Sequence, residues 1–334
     1  MNIHDAFLEK NIQGSYKLSE VCQGMSFRTY KRIHLKDGTS YILMIVPVDK
    51  PLEDGQSAIS GVIRPFVKVN RYLESIGIRV PEIKAIDESL GLVLLEDFGE
   101  DTFYDLYHEG DISEKNYIAA VDVLVKLAKS EPLEGIPAYD VSLATIRGDF
   151  FLEDYLPALR SGQESTKEEY ETLRGILTKI YSAVMNVPQG TILWDYHSPN
   201  LIPVTGEGVK SVGVLDFQDA KHGPLSYDLA SLLYDARFTI PAPLRYKLFD
   251  YFVEEAGIED KVAFKNSFEL AGLLRNIGVL GRFARSAYRD GRHEFIGKIA
   301  ILWPYIDEAL ENPEALELKA FLDKIMPVER LIAV

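Results

Sequence analysis

Residues 192–220 read ILWDYHSPNLIPVTGEGVKSVGVLDFQDA, and in them Asp195, Asn200 and Asp216 interrupt runs of isoleucine, leucine and valine. Apolar residues on both sides place the carboxylates at the ends of buried strands, where a charge needs a partner or a task. TILW, 191–194, reads as a strand entering a loop. VGVL, 212–215, reads as a second strand that delivers Asp216, the two strands being joined across GEG. Three oxygen-bearing side chains are thereby gathered at strand ends. Taken singly, each has an ordinary explanation: Asp195 caps a loop, Asn200 makes an Asx turn and Asp216 ends a strand. The three in this order, on a strand–loop–strand frame, point to chemistry.

The chain before this stretch is β-rich and the chain around it is helical. Residues 16–47 read as short strands, with FRTYKRIHL and SYILMIV separated by KDGT, whose Asp37-Gly38 pair is a favoured hairpin turn. GVIRPFVKVNRYLESIGI spaces Phe66, Val69, Tyr72, Leu73 and Ile76 on one helical face, and Gly77 ends that helix before Val80-Pro81. LGLVLLEDFG reads as a further buried strand running into a turn. Helical patterning begins near 117–129, gives way to the two strands, and resumes at SYDLASLLYDA. Residues 163–169 read as an exposed loop and helix start. The expected order is a small β-rich N-terminal lobe over 1–98, a linking turn at 96–99, and a large helical lobe over 99–334 that carries a β insert.

A chain of 334 residues with 47% hydrophobic residues is long enough for two lobes and composed like a well-packed globular protein. The single cysteine, Cys22, cannot form an internal disulfide, and the opening MNIHDAFLEKNI lacks a basic region followed by an apolar core. A cytoplasmic protein is expected. No apolar run approaches the roughly 18 residues that cross a bilayer. A formal net charge of -15 repels nucleic acid and anionic lipid alike, so neither is expected as a partner. A small anion held by local positive charge is compatible with that balance.

Phosphoryl transfer needs a carboxylate that orients the attacking hydroxyl and accepts its proton, and two oxygen ligands that hold magnesium against the nucleotide phosphates. Asp195 fits the first role, and Asn200 and Asp216 fit the second. The DFQ at 216–218 stands where protein kinases carry DFG.

On GMSFRTYKR, VPEIKAIDESLGLVLLEDFGEDT, DYHSPNL, LDFQDAKHGPLSYDLASLLYDAR and GVLGRFARSAYRDG, the chain resembles the aminoglycoside phosphotransferase and choline kinase superfamily over nearly its whole length. Within that superfamily it is similar to the anomeric sugar kinases of N-acetylmuramate and N-acetylglucosamine. The block from LDFQDA to DLASLL is the most specific. The resemblance implies an α+β, bilobal, protein-kinase-like fold that uses ATP and Mg2+, with Asp195 as base and Asn200 and Asp216 on magnesium. By the same resemblance the loop QGMSFR, 23–28, covers the phosphates, with Gly24, Ser26 and Arg28 as contacts. The turn LEDF, 95–98, with Leu95, Glu96 and Phe98, offers backbone groups to adenine, and Leu94 and Leu95 line the adenine pocket. Asp228 braces the catalytic loop, although the positive end of a helix dipole already accounts for a carboxylate in a first turn. His197, Gln218 and Asp219 are candidate substrate contacts.

Two positions depart from the superfamily pattern. Leu193 stands where a histidine normally supports the catalytic loop, and Met44 stands where the second hairpin strand should carry a phosphate-binding lysine. The helix that follows offers no glutamate before Glu74, so the lysine and its ion-pair partner are absent together. Losing the lysine alone would strand a buried carboxylate. Arg28 is then the nearest cation for phosphate.

A basic stripe stands out in this acidic chain. Arg275, Arg282 and Arg289 recur every seven residues, Arg285 and Arg292 lie three on from two of them, and Leu273, Ile277, Leu280, Ala284 and Ala287 take the opposite face. A solvated helix face explains such a stripe. The alternative is that its middle, Arg282 and Arg285, binds an anionic substrate group. The expected function is ATP-dependent phosphorylation of a small molecule by a monomer, with the anomeric hydroxyl of N-acetylmuramate or N-acetylglucosamine as acceptor. Aminoglycosides, which want a carboxylate-lined pocket, and choline, which wants an aromatic cage, are the rival acceptors. A nucleotide-binding pseudokinase acting through partners is the rival of another class.

Overall fold

The computed structural model describes residues 3–21, 28–48, 62–110 and 112–326; Cys22, Gly24 and Ser26 lie outside them. The chain divides into two compact units, Met1–Ile112 with Pro199–Asp219, and Ser113–Ser198 with Ala220–Val334.

The first unit is built on a five-stranded antiparallel sheet in the order β1-β2-β3-β5-β4. Its strands are β1 (Tyr16–Glu20), β2 (Thr29–Leu35), β3 (Ser40–Ile45), β4 (Ile83–Asp87) and β5 (Leu92–Glu96). The β2–β3 hairpin closes at the expected turn: Gly38 takes φ 89, and the Thr39 N–H donates to the Asp37 carboxylate at 2.9 Å. The register sets Met44 opposite Tyr30 on one side and Val93 on the other, so Met44 is core. Helix α1 (Ile3–Asn11), not anticipated from the sequence, lays Phe7 and Leu8, followed by Ile12, on Ile33, Leu43, Leu92 and Leu94.

Helix α2 (Arg64–Ser75) buries Phe66, Val69 and Leu73 as its periodicity requires. Tyr72 and Ile76 are only half-buried, and Asn70 is buried instead because its amide donates to the Pro81 carbonyl at 2.9 Å. Gly77, at φ 80, and Ile78 return their N–H groups to Glu74 and Leu73, a left-handed cap that glycine permits.

The same unit holds α3 (Phe103–Glu109) and a small hairpin of β7 (Leu201–Pro203) and β8 (Val212–Val214). That hairpin is tied to the segment before β4, where the Val214 N–H donates to the Arg79 carbonyl at 2.9 Å. The Phe66 and Phe217 rings stack at 5.1 Å.

The second unit is mostly helical: α4 (Glu114–Ala128), α5 (Val141–Phe150), α6 (Leu156–Leu159), α7 (Lys167–Val184), α8 (Ser226–Leu233), α9 (Ala242–Ala256), α10 (Lys261–Ala284), α11 (Glu294–Leu310) and α12 (Leu316–Ile325). Wide π-helical turns follow α5 at Phe151–Tyr155 and α10 at Arg285–Arg289. Strand β6 (Gln189–Ile192) pairs antiparallel with β9 (Lys221–Pro224). The strand expected at 191–194 therefore stops two residues early, because Trp194 takes the left-handed φ of 75, and its partner is β9 rather than VGVL.

Helix α10 is buried on nearly every side, which overturns the picture of an apolar face opposite a solvated one. It meets α5 at glycines. A Cβ on Gly281 would lie 2.2 Å from the Phe150 carbonyl oxygen, and one on Gly278 would lie 2.9 Å from Arg147 Cβ. Among the described residues no helix is long and apolar enough to cross a membrane.

Candidate active site

The loop that carries Asp195 belongs to the helical unit and is held from beneath by two carboxylates. Beyond β6 the N–H groups of Leu193 and Trp194 both donate to Asp228, the latter at 3.0 Å. Asp228 is 2% exposed. Burial pushes its carboxyl up to about 7, against the downward pull of those two N–H groups. The left-handed turn at Trp194 then presents Asp195, whose own N–H returns to the Leu193 carbonyl at 2.9 Å. Leu193 has no polar side chain to support this loop, and its backbone N–H serves as the anchor instead.

At the far side of the loop Ser198 gives both its N–H (3.0 Å) and its hydroxyl to Asp235, which also takes the Arg237 N–H and guanidinium. Asp235 is fully buried; burial raises its pKa, yet Arg237, His197 and Arg275 outweigh that and hold it at about 2. His197 is 9% exposed, within the loop. Burial and the nearby Arg237 lower its pKa well below 6.5. The sequence carries a trace of this pairing, since YD occurs at 227–228 on α8 and again at 234–235 just past its end, and both carboxylates brace the same loop.

Aromatic rings and cations surround Asp195 within this unit. The Trp194 and Tyr227 rings stack at 4.9 Å with an interplanar angle of 4°. The Arg147 guanidinium lies 4.9 Å from the Trp194 centroid and 5.6 Å from that of Tyr227, and donates to the Tyr227 hydroxyl. Lys221 Nζ lies 4.8 Å from the Trp194 centroid. The charge of Asp195 acts on Arg147, Arg282 and Tyr227. Burial is the main cause lowering the pKa of Arg282, followed by the like charge of Arg147, while Asp195 works the other way.

The arginine stripe is taken apart by its partners. Arg275 is 6% exposed. Arg282 lies over the Phe150 ring at 5.0 Å. Arg285 Nε is bonded to Asp154 at 2.9 Å, Arg289 reaches the same carboxylate at 3.2 Å, and Arg292 pairs with Glu294. Arg285 is thus an ion-pair partner of Asp154, and its guanidinium lies 6.0 Å from the Phe150 ring that Arg282 also faces.

The remaining candidates lie in the sheet unit. Asp216 adopts φ 55, unusual for a residue with a side chain, at the end of β8. Its Oδ1 accepts from Arg28 Nη2 and from Gln218 Nε2, each at 3.0 Å, and Gln218 also reaches Asp219 at 3.1 Å. Arg28 is buried, and Tyr30 next to it is pushed up to about 12 by burial. The Leu215 N–H donates to the Asn200 carbonyl at 2.9 Å, which sets Asn200 and Asp216 at the same end of the β7–β8 hairpin. One carboxylate and one amide oxygen suit Mg2+, a hard cation that keeps phosphate and water among its ligands. No cluster of three or more His, Cys, Asp or Glu able to hold a metal occurs among the described residues.

The linking turn is cross-braced. Leu95 is core. Glu96 is paired with Arg79 (Oε2 to Nη1, 2.7 Å), which overcomes burial and holds its carboxyl below the usual range, and its N–H is engaged by the Glu82 carbonyl. Phe98 lies beneath Arg79 at 4.7 Å and against Gly213, where a Cβ would come within 2.5 Å of the ring. Arg32, unread in the sequence, forks onto Asp97 at 2.7 and 3.2 Å and onto the Gly99 carbonyl at 3.0 Å.

A family model described as "Phosphotransferase enzyme family" matches residues 17–260. Among curated proteins, the N-acetylmuramate/N-acetylglucosamine kinase of Pseudomonas aeruginosa is 30% identical over 316 residues, covering 92% of this chain and 89% of that protein. The protein of the same name from Caulobacter vibrioides is 30% identical over 357 residues, covering 97% and 96%. Among solved structures, a choline/ethanolamine kinase family protein from Mesorhizobium loti superposes with a TM-score of 0.60 at 13% identity, over 95% of each chain. An ADP-bound aminoglycoside phosphotransferase gives 0.58 at 16%, over 92% of this chain and 99% of that one. The fold is the protein-kinase-like α+β fold.

Proposed function

The chain belongs to the phosphotransferase enzyme family, and from that membership we propose that it transfers the γ-phosphoryl group of ATP to the anomeric hydroxyl of N-acetylmuramate or N-acetylglucosamine. The observation that carries the reading is Asp195 on a loop pinned by Asp228 and Asp235, with Arg147 and Arg282 close enough to feel its charge. Asp195 accepts the proton of the sugar hydroxyl as its oxygen attacks phosphorus. Asn200 and Asp216 hold Mg2+, which when bound supplies positive charge to the phosphates. Arg28 stands in for the missing lysine, the loop with Gly24 and Ser26 covers the phosphates, and the turn at 95–98 offers backbone groups to adenine.

The surroundings of Asp195 favour a sugar over the rival acceptors. Two guanidinium groups that feel its charge would repel a polycationic aminoglycoside. The Trp194 and Tyr227 rings, the aromatic surface a choline would need, are covered by Arg147 and Lys221. The test is ATP consumption with Mg2+ across both N-acetyl sugars, their methyl glycosides, aminoglycosides and choline. Turnover is expected with the free sugars only. Phosphorylation of the blocked glycosides would sink the anomeric assignment, and no turnover with any acceptor would return weight to nucleotide binding without transfer.

The role of Arg28 has its own check. Arg28→Ala removes the cation 3.0 Å from Asp216, and with it a charge-assisted contact worth about 1.5–3 kcal/mol. The apparent KM for ATP is expected to rise roughly tenfold or more. An unchanged KM for ATP at saturating Mg2+ would place the compensation for Met44 elsewhere.

A further inference from the structure

We propose that Arg147 and Arg282 form a seat for a carboxylate on the acceptor, so that the enzyme selects an acidic sugar such as N-acetylmuramate over the neutral N-acetylglucosamine. This rests on the reading that Asp195 faces the acceptor hydroxyl, and it assigns a specificity role to Arg147, a residue on α5 that no motif marks.

The first observation is a charge left over. In a chain with net charge -15, arginines find carboxylates readily: Arg160 with Glu169, Arg174 with Asp149, Arg245 with Glu308, and Arg285 and Arg289 with Asp154. Arg147 and Arg282 make no ion pair with a carboxylate among the described residues, and the like charge of Arg147 lowers the pKa of Arg282. Two like charges in partly desolvated surroundings, countered by Asp195 and the Tyr227 hydroxyl and by no carboxylate ion pair of their own, leave room for one more anion.

The second observation is that both groups are held in place. The stem of Arg147 is wedged against Gly278 of α10, where a Cβ would come within 2.9 Å. Its guanidinium lies over Trp194 and Tyr227, with Nη2 bonded to the Tyr227 hydroxyl, and its buried Nε has no hydrogen-bond partner in the unit. Arg282 is exposed to solvent, yet burial is the main influence on its charge. The Phe150 ring lies 5.0 Å from its guanidinium. A planar guanidinium held by ring stacking is pre-organised to fork onto a carboxylate.

The third observation is position. Trp194, which carries Arg147, immediately precedes Asp195, and Gly281, at the close approach of α10 to Phe150, immediately precedes Arg282. The anion would therefore be read next to the base. The lactyl ether of N-acetylmuramate carries the only carboxylate that separates the two sugars.

The experiment measures kcat/KM for both sugars in wild type, Arg282→Ala, Arg147→Ala, Arg147→Lys and Arg285→Ala, and calorimetric binding of N-acetylmuramate against its neutral lactyl methyl ester. Wild type is expected to prefer N-acetylmuramate by at least about tenfold and to bind the free acid more tightly than the ester by a similar factor. Arg282→Ala and Arg147→Ala should bring both ratios close to one, while Arg285→Ala leaves them as they are. Arg147→Lys, which keeps the charge without the fork and covers the case in which the alanine variant does not fold, should retain part of the preference. Equal losses on both sugars together with a raised KM for ATP would assign the arginines to phosphate and overturn the proposal, as would a preference that survives Arg282→Ala. If neither sugar is phosphorylated the proposed reaction fails, and the binding comparison then decides the anion seat by itself, equal affinity for acid and ester refuting it.

Discussion

Asp195→Asn is expected to lower turnover by about a hundredfold or more while nucleotide binding stays nearly intact. Asparagine has almost the shape of aspartate, and the loop is held through the N–H groups of Leu193, Trp194 and Ser198, none of which depends on the Asp195 carboxylate. What disappears is the proton acceptor. Single-turnover rates with saturating ATP and sugar, set beside the affinity for ADP, separate the two effects. Asp216→Asn should behave differently, weakening Mg2+-dependent ATP binding as well as the rate. Full activity in Asp195→Asn would remove that residue from its proposed role.

Gly281→Ala is expected to cost about 3 kcal/mol of stability, or to prevent folding. The added methyl would sit 2.2 Å from the Phe150 oxygen, 2.3 Å from its carbonyl carbon and 2.7 Å from the Phe151 nitrogen. All three are backbone atoms at the junction of α5 with its π turn, so no rotamer change makes room and the two helices must part. Gly278→Ala meets only the stem of Arg147 and should lose less. Gly175→Ala is the control: nothing lies within 4 Å of the new methyl, the position is exposed within α7, and about 0.5–1 kcal/mol should be gained from helix propensity. Urea denaturation midpoints of the three variants test the ordering, and a Gly281→Ala midpoint equal to wild type would refute it.

What could be read in the sequence was what depends on neighbours. The Asp37-Gly38 turn, the buried face of α2 and its cap at Gly77 are each decided within one turn of chain, so residue type and period announce them. The contacts around the candidate site are decided by partners far along the chain. Arg28 meets Asp216 across 188 positions and Arg285 meets Asp154 across 131, and no period encodes either pairing. The seven-residue recurrence of arginine was a true helix signal that said nothing about which side chains would be neutralised. Arg147 carried no signal at all, since its meaning comes from rings at 194 and 227 stacked beside it. Helix α1 and strand β4 escaped notice because each is short and shows little alternation.

The unit that contains the sheet is assembled from two separated stretches, 1–112 and 199–219. During synthesis at about 5–20 residues per second, the Arg79 carbonyl waits on the order of ten seconds for the Val214 N–H. Over that interval Phe66 has no Phe217 to stack on and Phe98 has no Gly213 against it, so the nascent chain offers apolar surface to chaperones until the later hairpin has left the ribosome. A fragment cut after residue 112 would stay in that unfinished condition permanently. A minimal version of this unit has to carry 199–219 as well, spliced on by a linker that replaces the intervening helices.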